Sequence, residues 1–463
     1  MVSGVGNELS TPLSALVTRK PLYVPEDSTV GETARIMRMA KVSAALVAGR
    51  PHGIVTNGDL RNRVLAEELP PDTPVRSVMS TPVRTLPEGA PLYEALLLML
   101  GEGLEHVPVT RDRRVVGVIT HLDMLTHQSR SPMLVLGRIR AIERPADVQG
   151  YSAEIAGTAG AMFADGVEPV RIARVIASLN DALCSRLLRI AEELLGPPPC
   201  PYAWLVLGSE GRMEQVLLSD QDNALVYRDD DPDAAAYFRD LAELVVGALL
   251  EAGFPPCAGG YMATNWCRPL PQWLRTFRHW IDAPEPQALV EAAVFLDFRA
   301  VHGDLSLEPL HAALLTAADA TRFLVQLSWA AASFEPPLSA FGRIRSDHRQ
   351  VDLKRGAIAA IVLLGRLHGL AAGSAARPTL ERFDAAAAGG LLSPVQARLL
   401  AEAFGFVTSL RLRAQLRALA AGRELDNRIC LDDLSWLEQR RLRDTLRSIA
   451  DLQRATTMRF HAE

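Results

Sequence analysis

Asp220 and Asp222, separated by Gln221, are the residues of this 463-residue chain whose type and spacing point most directly to chemistry. They lead into an apolar run, Ala224 to Tyr227. In extended backbone, side chains i and i+2 share a face and the one between points away. Two carboxylates side by side repel unless a cation sits between them, and a hard divalent ion carrying phosphate oxygens satisfies both. The complementary half stands just before. A second apolar run, Tyr202 to Leu207, ends at Gly208-Ser209, and about two turns of helix-capable residues separate it from Ser219-Asp220. Gly208 and Gly211 permit close backbone approach, and the free N–H groups of Gly208-Ser209 at a helix start attract an anion. Arg212 offers a bidentate phosphate clamp or, equally, an ion pair with Glu210 or Glu214. An isolated Asp-x-Asp would most simply be a solvated hairpin end. Here Gly-Ser-x-Gly-Arg-x-Glu, four residues, and then Ser-Asp-x-Asp lie between two apolar strands, which argues for a site with metal on one face and phosphate on the other.

A two-metal phosphoryl-transfer centre also needs a third carboxylate from a neighbouring strand. Asp297, near the end of the strand-like run Val294 to Arg299, is the favoured candidate. The competing position is the end of the strand-like segment after the helix Ala234 to Glu251, where the residue is Asn265. An amide there would be a poor base and a weak cation ligand, leaving the set incomplete. The acidic turn Asp229 to Asp233 reads as a dipole complement to that helix rather than a second metal site.

The length implies two to four domains. A hydrophobic content of 48% with 22% charged residues is ordinary for a globular protein. The net charge of −5 gives no electrostatic case for nucleic acid as a partner. Five scattered cysteines without a CxxC read as reduced thiols. No apolar stretch reaches the length of a membrane span and the first residues do not resemble a signal peptide, so a cytoplasmic protein without a membrane partner is expected. An internal repeat fills the first part of the chain. Val24-Pro25-Glu26 recurs as Leu86-Pro87-Glu88, each followed by a helical pattern, a strand, a hairpin and a second strand. The second strands end in Gly53-Ile54-Val55-Thr56-Asn57-Gly58-Asp59 and Gly117-Val118-Ile119-Thr120-His121-Leu122-Asp123.

The central motif resembles the active-site signature of the polymerase-β-type nucleotidyltransferases. Within that superfamily it is similar to the PII-protein uridylyltransferases and glutamine-synthetase adenylyltransferases, and most of all to the CBS-linked signal-transduction family DUF294. The likeness continues through Asp297-Phe298-Arg299, similar to a D-x-R motif of the adenylyltransferases, and through Pro336-Pro337-Leu338, Asp352-Leu353-Lys354 and Leu410-Arg411. The repeat resembles a tandem CBS pair, or Bateman module. That resemblance implies an adenosyl ligand (AMP, ADP or ATP), with Thr56 and Thr120 at phosphate and Asp59 and Asp123 at ribose hydroxyls. The same T-x-x-D pattern also serves as a plain helix cap. For the catalytic part the resemblance implies Mg²⁺ (or Mn²⁺) at Asp220 and Asp222, an NTP donor (UTP or ATP), and a protein acceptor. It also implies a homodimer through the CBS modules.

The expected fold class is α+β and multidomain. It comprises a tandem CBS module over residues 10–130 (about 10–70 and 71–130), a helical linker over 131–199, a polymerase-β-like nucleotidyltransferase α/β core over 200–307, and an all-α C-terminal bundle over 308–463. Gly196-Pro197-Pro198-Pro199 is expected to stop the linker helix. In the C-terminal third, Trp329 and Trp436 are expected in the core, and Lys354 and Arg343 on the solvated surface, with a nucleotide contact as the alternative. Two readings compete with a protein-modifying transferase. One is a catalytically inactive nucleotide-sensing scaffold that switches a partner; the other is a transferase acting on a small molecule.

Overall fold

The structure, a computed structural model, describes residues 11–17, 20–49, 52–112, 114–125, 132–217, 220–339 and 341–461. Ser219, the first residue of the expected CBS module and the last five of its second half lie outside the described residues. The chain is α+β and multidomain, and it divides into two compact units, residues 1–134 with 164–167, and the remainder.

The smaller unit contains the repeat. In the first copy β1 (Tyr23–Pro25) pairs parallel with β2 (Ala44–Ala48), which pairs antiparallel with β3 (Gly53–Thr56). In the second, β4 (Leu86–Pro87), β5 (His106–Arg111) and β6 (Arg114–Thr120) repeat the same order and directions. Each parallel pairing needs a crossover, supplied by the helices Val30–Ala40 and Leu92–Glu102. The first helix starts on a capping box, Thr29 with Glu32. The registers correspond: Ala44 lies opposite Thr56, and His106 opposite Thr120.

In the larger unit, β7 (Tyr202–Val206) and β8 (Asn223–Tyr227) are buried along their whole length, as continuous apolar runs require. With β9 (Cys267–Pro269) and β10 (Arg299–Gly303) they form a four-stranded sheet of order β10-β7-β8-β9, in which only β8 and β9 run parallel. The helix Pro232–Glu251 makes that crossover. The helix Pro169–Leu195 lies against the same sheet: Asp181 pairs with Arg299 through both guanidinium nitrogens at 2.7 and 2.9 Å, and Asn180 donates to Gln215 at 2.9 Å.

The C-terminal region consists chiefly of the helices Thr321–Ser333, Ala359–Ala371, Thr379–Ala388, Pro394–Ala420 and Trp436–His461. It departs from an all-α bundle by one antiparallel pair, Gln350–Asp352 with Arg428–Cys430. Its helices share a core with the sheet, since Leu363, Leu367 and Phe460 pack in the same cluster as Ala203, Leu205, Ala224 and Val226.

Four local expectations are corrected. The helix after Gly208 is a single turn, Gly208–Gly211. The run around Asp297 is the end of a helix, Pro286–Phe295, followed by a turn and then by β10. A contiguous apolar stretch carries no period that separates these cases. Residues 259–265 form turns, and the strand after the helix begins only at Cys267. Trp329 and Trp436 are 50% and 69% exposed rather than core.

Asp297 sits where the sheet meets the helical region and has no solvent exposure. Arg366 donates to its Oδ2 at 2.6 Å, Arg382 lies 2.7 Å from its Oδ1, and Arg212 pairs with it from the glycine turn. Burial pushes this carboxyl up, but Arg366, Arg382 and Arg212 together outweigh burial and hold it well below the usual carboxylate range. Removing one partner of a buried charge cluster leaves the others uncompensated at a cost of about 3–5 kcal/mol. Asp297→Ala is therefore expected to lose about that much stability in urea titration. A loss below about 1 kcal/mol would mean that the cage does not hold the two regions together.

Candidate metal centre

The end of β7 and the start of β8 face each other, and the Leu207 N–H donates to the Asp222 carbonyl at 2.9 Å. This places the turn Gly208–Gly211 beside Asp220 and Asp222. Donor atoms of Asp220, Asp222 and Cys257 lie within 4.8 Å of one another. Gln221, between the two acids, is buried away from them, and its Oε1 accepts from Asn223 at 3.1 Å. Cys257 arrives from the loop after the helix Pro232–Glu251, tied in by Gln221 N–H donating to the Pro255 carbonyl at 3.1 Å. Sequence reasoning missed it, because nothing in the local pattern around Cys257 reports a contact made across that loop.

Asp222 is half-buried, and its Oδ1 is buried without a hydrogen-bond partner. Its carboxyl is pushed up to about 6, by burial first, with Asp220 adding to the effect and the Cys257 thiol, Lys354 and Arg212 opposing it. Burial and donation to Asp222 push the Cys257 thiol up to about 11. Gly208 has φ +52°, and a Cβ there would lie 3.0 Å from Asp222 Oδ2, so a side chain would intrude on that oxygen. Two adjacent carboxylates with an orphaned buried oxygen fit a hard divalent ion, Mg²⁺ or Mn²⁺. The neutral thiol is a softer donor that serves Asp222 as a hydrogen-bond donor.

The glycine turn has two faces. Gly208 faces Asp222, whereas a Cβ at Gly211 would lie 2.0 Å from the Asp297 carbonyl oxygen. Arg212 is buried, donates to Glu214 at 2.7 Å and pairs with Asp297. Of its two expected roles, phosphate clamp or ion pair, the structure realises the ion pair. The acidic residue of the D-x-R motif is thus in the cage, away from the Asp220/Asp222 pair. Arg299, its basic residue, donates to the carbonyls of Glu210 at 3.1 Å and Gly211 at 3.3 Å and so staples the turn. Glu210 is fully buried beside Asp181 and Asp222 and is pushed up to about 8, burial being the chief cause. Asn265 donates to the Gly260 carbonyl at 3.0 Å on an exposed loop. Lys354, at the start of a turn of π-helix, is exposed, and its Nζ lies 3.9 Å from Asp220 Oδ1.

In the smaller unit both T-x-x-D segments form the same capping box. Asp59 Oδ2 accepts from the Thr56 N–H and hydroxyl at 2.9 and 2.8 Å, and Asp123 Oδ2 from those of Thr120 at 2.9 and 2.7 Å. Asp59 and Asp123 both act on the His106 imidazole, which burial pushes down and which meets Ser43 at 2.6 Å, so the two copies converge there. A cavity of about 510 Å³, lined in part by Leu46, His52, Val83, Thr85 and Val115, also opens between the copies.

A glycine turn facing Asp220 and Asp222 just before β8, followed in the chain by a helical region and preceded by a duplicated β-α-β-β module, is the arrangement to set against known families. Family comparison finds matches along the chain. Residues 13–66 and 75–130 match "CBS domain". Residues 153–287 match "Putative nucleotidyltransferase DUF294", and 321–460 match "Putative nucleotidyltransferase substrate binding domain". The chain belongs to this CBS-linked DUF294 family. Among curated proteins it is similar to two from Methanocaldococcus jannaschii. "Uncharacterized protein MJ0450" is 31% identical over 116 residues, 24% of this chain and 62% of that protein. "Uncharacterized protein MJ1404" is 26% identical over 133 residues, 25% of this chain and 32% of that protein. The chain thus spans less than two thirds of either relative. A solved structure of a conserved protein from Pyrococcus horikoshii matches at 28% identity, covering 27% of this chain and 96% of that one, with a TM-score of 0.25. Among the described residues no helix is long and apolar enough to cross a membrane.

Because folding raises the Asp222 carboxyl above its ordinary 3.8, the group contributes most stability below that value and loses it as pH rises through about 6. At pH 8 without divalent ions, Asp222→Asn is therefore expected to be more stable than wild type, by up to about 3 kcal/mol at 1.36 kcal/mol per unit. Adding Mg²⁺ or Mn²⁺ should raise the melting temperature of wild type and leave the variant unmoved. A variant less stable than wild type without ions, or equally shifted by them, would contradict this account of the pair.

Proposed function

We propose that this protein transfers a nucleoside monophosphate from an NTP, UTP or ATP, to an acceptor hydroxyl on a signalling protein. In this reading the acceptor oxygen attacks the α-phosphorus and the bond to the β-phosphate oxygen breaks. Pyrophosphate leaves, and the hydroxyl proton passes to solvent. The observation that carries the reading is the convergence of Asp220 and Asp222, with the orphaned Oδ1, opposite Gly208. A divalent ion held there supplies neutralisation of the triphosphate and polarisation of the α-phosphorus. Asp220 and Asp222 bind that ion, and the Cys257 thiol orients Asp222. The absence of a side chain at Gly208 leaves room for phosphate at Gly208-Ser209. Gly211 and Arg212 support the turn from below rather than touch the nucleotide.

The CBS pair is the input of this proposal. An adenosyl nucleotide held near Thr56, Asp59, Thr120 and Asp123 regulates transfer, in a cytoplasmic homodimer paired through residues 10–130. Residues 131–199 and 200–307 form the helical support and transfer core, and residues 308–463 receive the acceptor.

The sequestration of Asp297 favours a second reading, because it removes the expected third carboxylate from the pair. In that reading the fold binds nucleotide and switches a partner without chemistry. One experiment separates the two. The purified protein is incubated with Mg²⁺ or Mn²⁺, each α-³²P-labelled NTP and a lysate of the host. Label on a protein with wild type, reduced at least about 100-fold with Asp222→Ala, is the expected result. NTP binding without transfer of any label would replace the enzyme by the scaffold.

A further inference from the structure

A triphosphate needs a cation of the protein as well as the ion between the carboxylates, and Arg212 is committed to Asp297 and Glu214. The helical region brings two other positive charges toward the acids. Arg411 is buried, donates to Asn427 at 2.8 Å and acts on Asp352 and Asp220 from a fixed position. Lys354 is different. Its side chain is 48% exposed and its Nζ stands 3.9 Å from Asp220 Oδ1, a loose contact at the edge of ion-pair range. Its backbone is anchored on both sides: the Leu353 N–H donates to the Asn427 carbonyl at 3.1 Å and the Arg355 N–H to Asp352 at 3.0 Å. A fixed base under a half-exposed ammonium with three rotatable donors suits a group that must change partners.

We propose that Lys354 is the triphosphate-binding cation of the site. In the free protein it neutralises Asp220. When a divalent ion takes its place between the carboxylates, like-charge repulsion drives the ammonium off Asp220 and onto the terminal phosphate oxygens of the incoming NTP. No bond is made or broken in this exchange. Lys354 therefore opposes the naked ion and favours the triphosphate, and it discriminates triphosphate from monophosphate. The inference rests on the assignment of Asp220 and Asp222 to an ion and a donor nucleotide.

The test uses the full chain as wild type, Lys354→Ala, Lys354→Arg and Asp222→Asn, and counts only binding that Asp222→Asn abolishes. Mn²⁺ affinity is read by electron paramagnetic resonance without nucleotide. With Mg²⁺ present, the affinities of α,β-methylene-ATP and -UTP are compared with those of AMP and UMP by calorimetry. Removing the ammonium is expected to tighten Mn²⁺ several-fold. It should weaken the triphosphate analogues by about tenfold or more, the scale of a charge-assisted hydrogen bond, and leave the monophosphates within about twofold. Lys354→Arg should recover most of the triphosphate affinity. Unchanged or weaker Mn²⁺ binding in Lys354→Ala, or equal losses for tri- and monophosphate, overturns the proposal while leaving the site assignment standing. Wild type without Mn²⁺ or triphosphate binding that depends on Asp222 overturns both.

Discussion

One fully buried carboxylate ties the sheet to the helical region. Asp297 gathers Arg212 from the glycine turn and Arg366 and Arg382 from two C-terminal helices at one point without solvent. A carboxylate in such a place is tolerable only because guanidinium groups replace its water, and they in turn need the carboxylate. The same residue abuts the turn through its carbonyl, where only a glycine at position 211 leaves space. Turn, sheet edge and helical region are thereby fixed relative to one another. That registration sets Gly208 against Asp222 and lets a residue as distant in sequence as Lys354 reach Asp220.

Around this fixed point the fold carries groups that destabilise it. Asp222 and Glu210 both titrate well above ordinary carboxyls because burial disfavours their charge. A protein optimised for stability alone would not place Asp181, Glu210 and Asp222 so close together. The cost is offset nearby. Trp266, Trp273, Trp280, Phe277, Phe295 and Phe298 form one contiguous aromatic cluster beneath the sheet, with ring centroids between 4.4 and 6.3 Å apart. The cluster lies against the strand that Asp222 precedes, and the indole of Trp273 donates to the Leu225 carbonyl at 3.1 Å.

Much of this was legible in the sequence, and the reasons are local. The duplicated unit shows itself because each copy repeats the same residues at nearly the same spacing. The two acids of the Asp-x-Asp lie close together because an alternation of two is a property of three consecutive residues. Asp297 was misplaced for the opposite reason: Val294-Phe295-Leu296 has no period, and only the finished packing decides between helix and strand. Its true role lies in Arg366 and Arg382, some 70 to 85 residues away, and no sequence pattern marks such a pairing. Cys257 escaped in the same way, delivered by a loop whose course is a tertiary outcome, and the approach of Lys354 to Asp220 is set by packing of the same kind. The residues of the D-x-R motif bind the glycine turn and Arg212.

The six tryptophans have a consequence of their own. All of them (Trp204, Trp266, Trp273, Trp280, Trp329 and Trp436) belong to the larger unit, and the CBS repeat has none. Four are buried or nearly so and two face solvent, so the intrinsic fluorescence combines a blue-shifted population with a quencher-accessible one. The smaller unit is dark in this spectrum. Emission from the native chain therefore comes from the larger unit alone, and a ligand of the smaller unit that altered it would be read there without any added label.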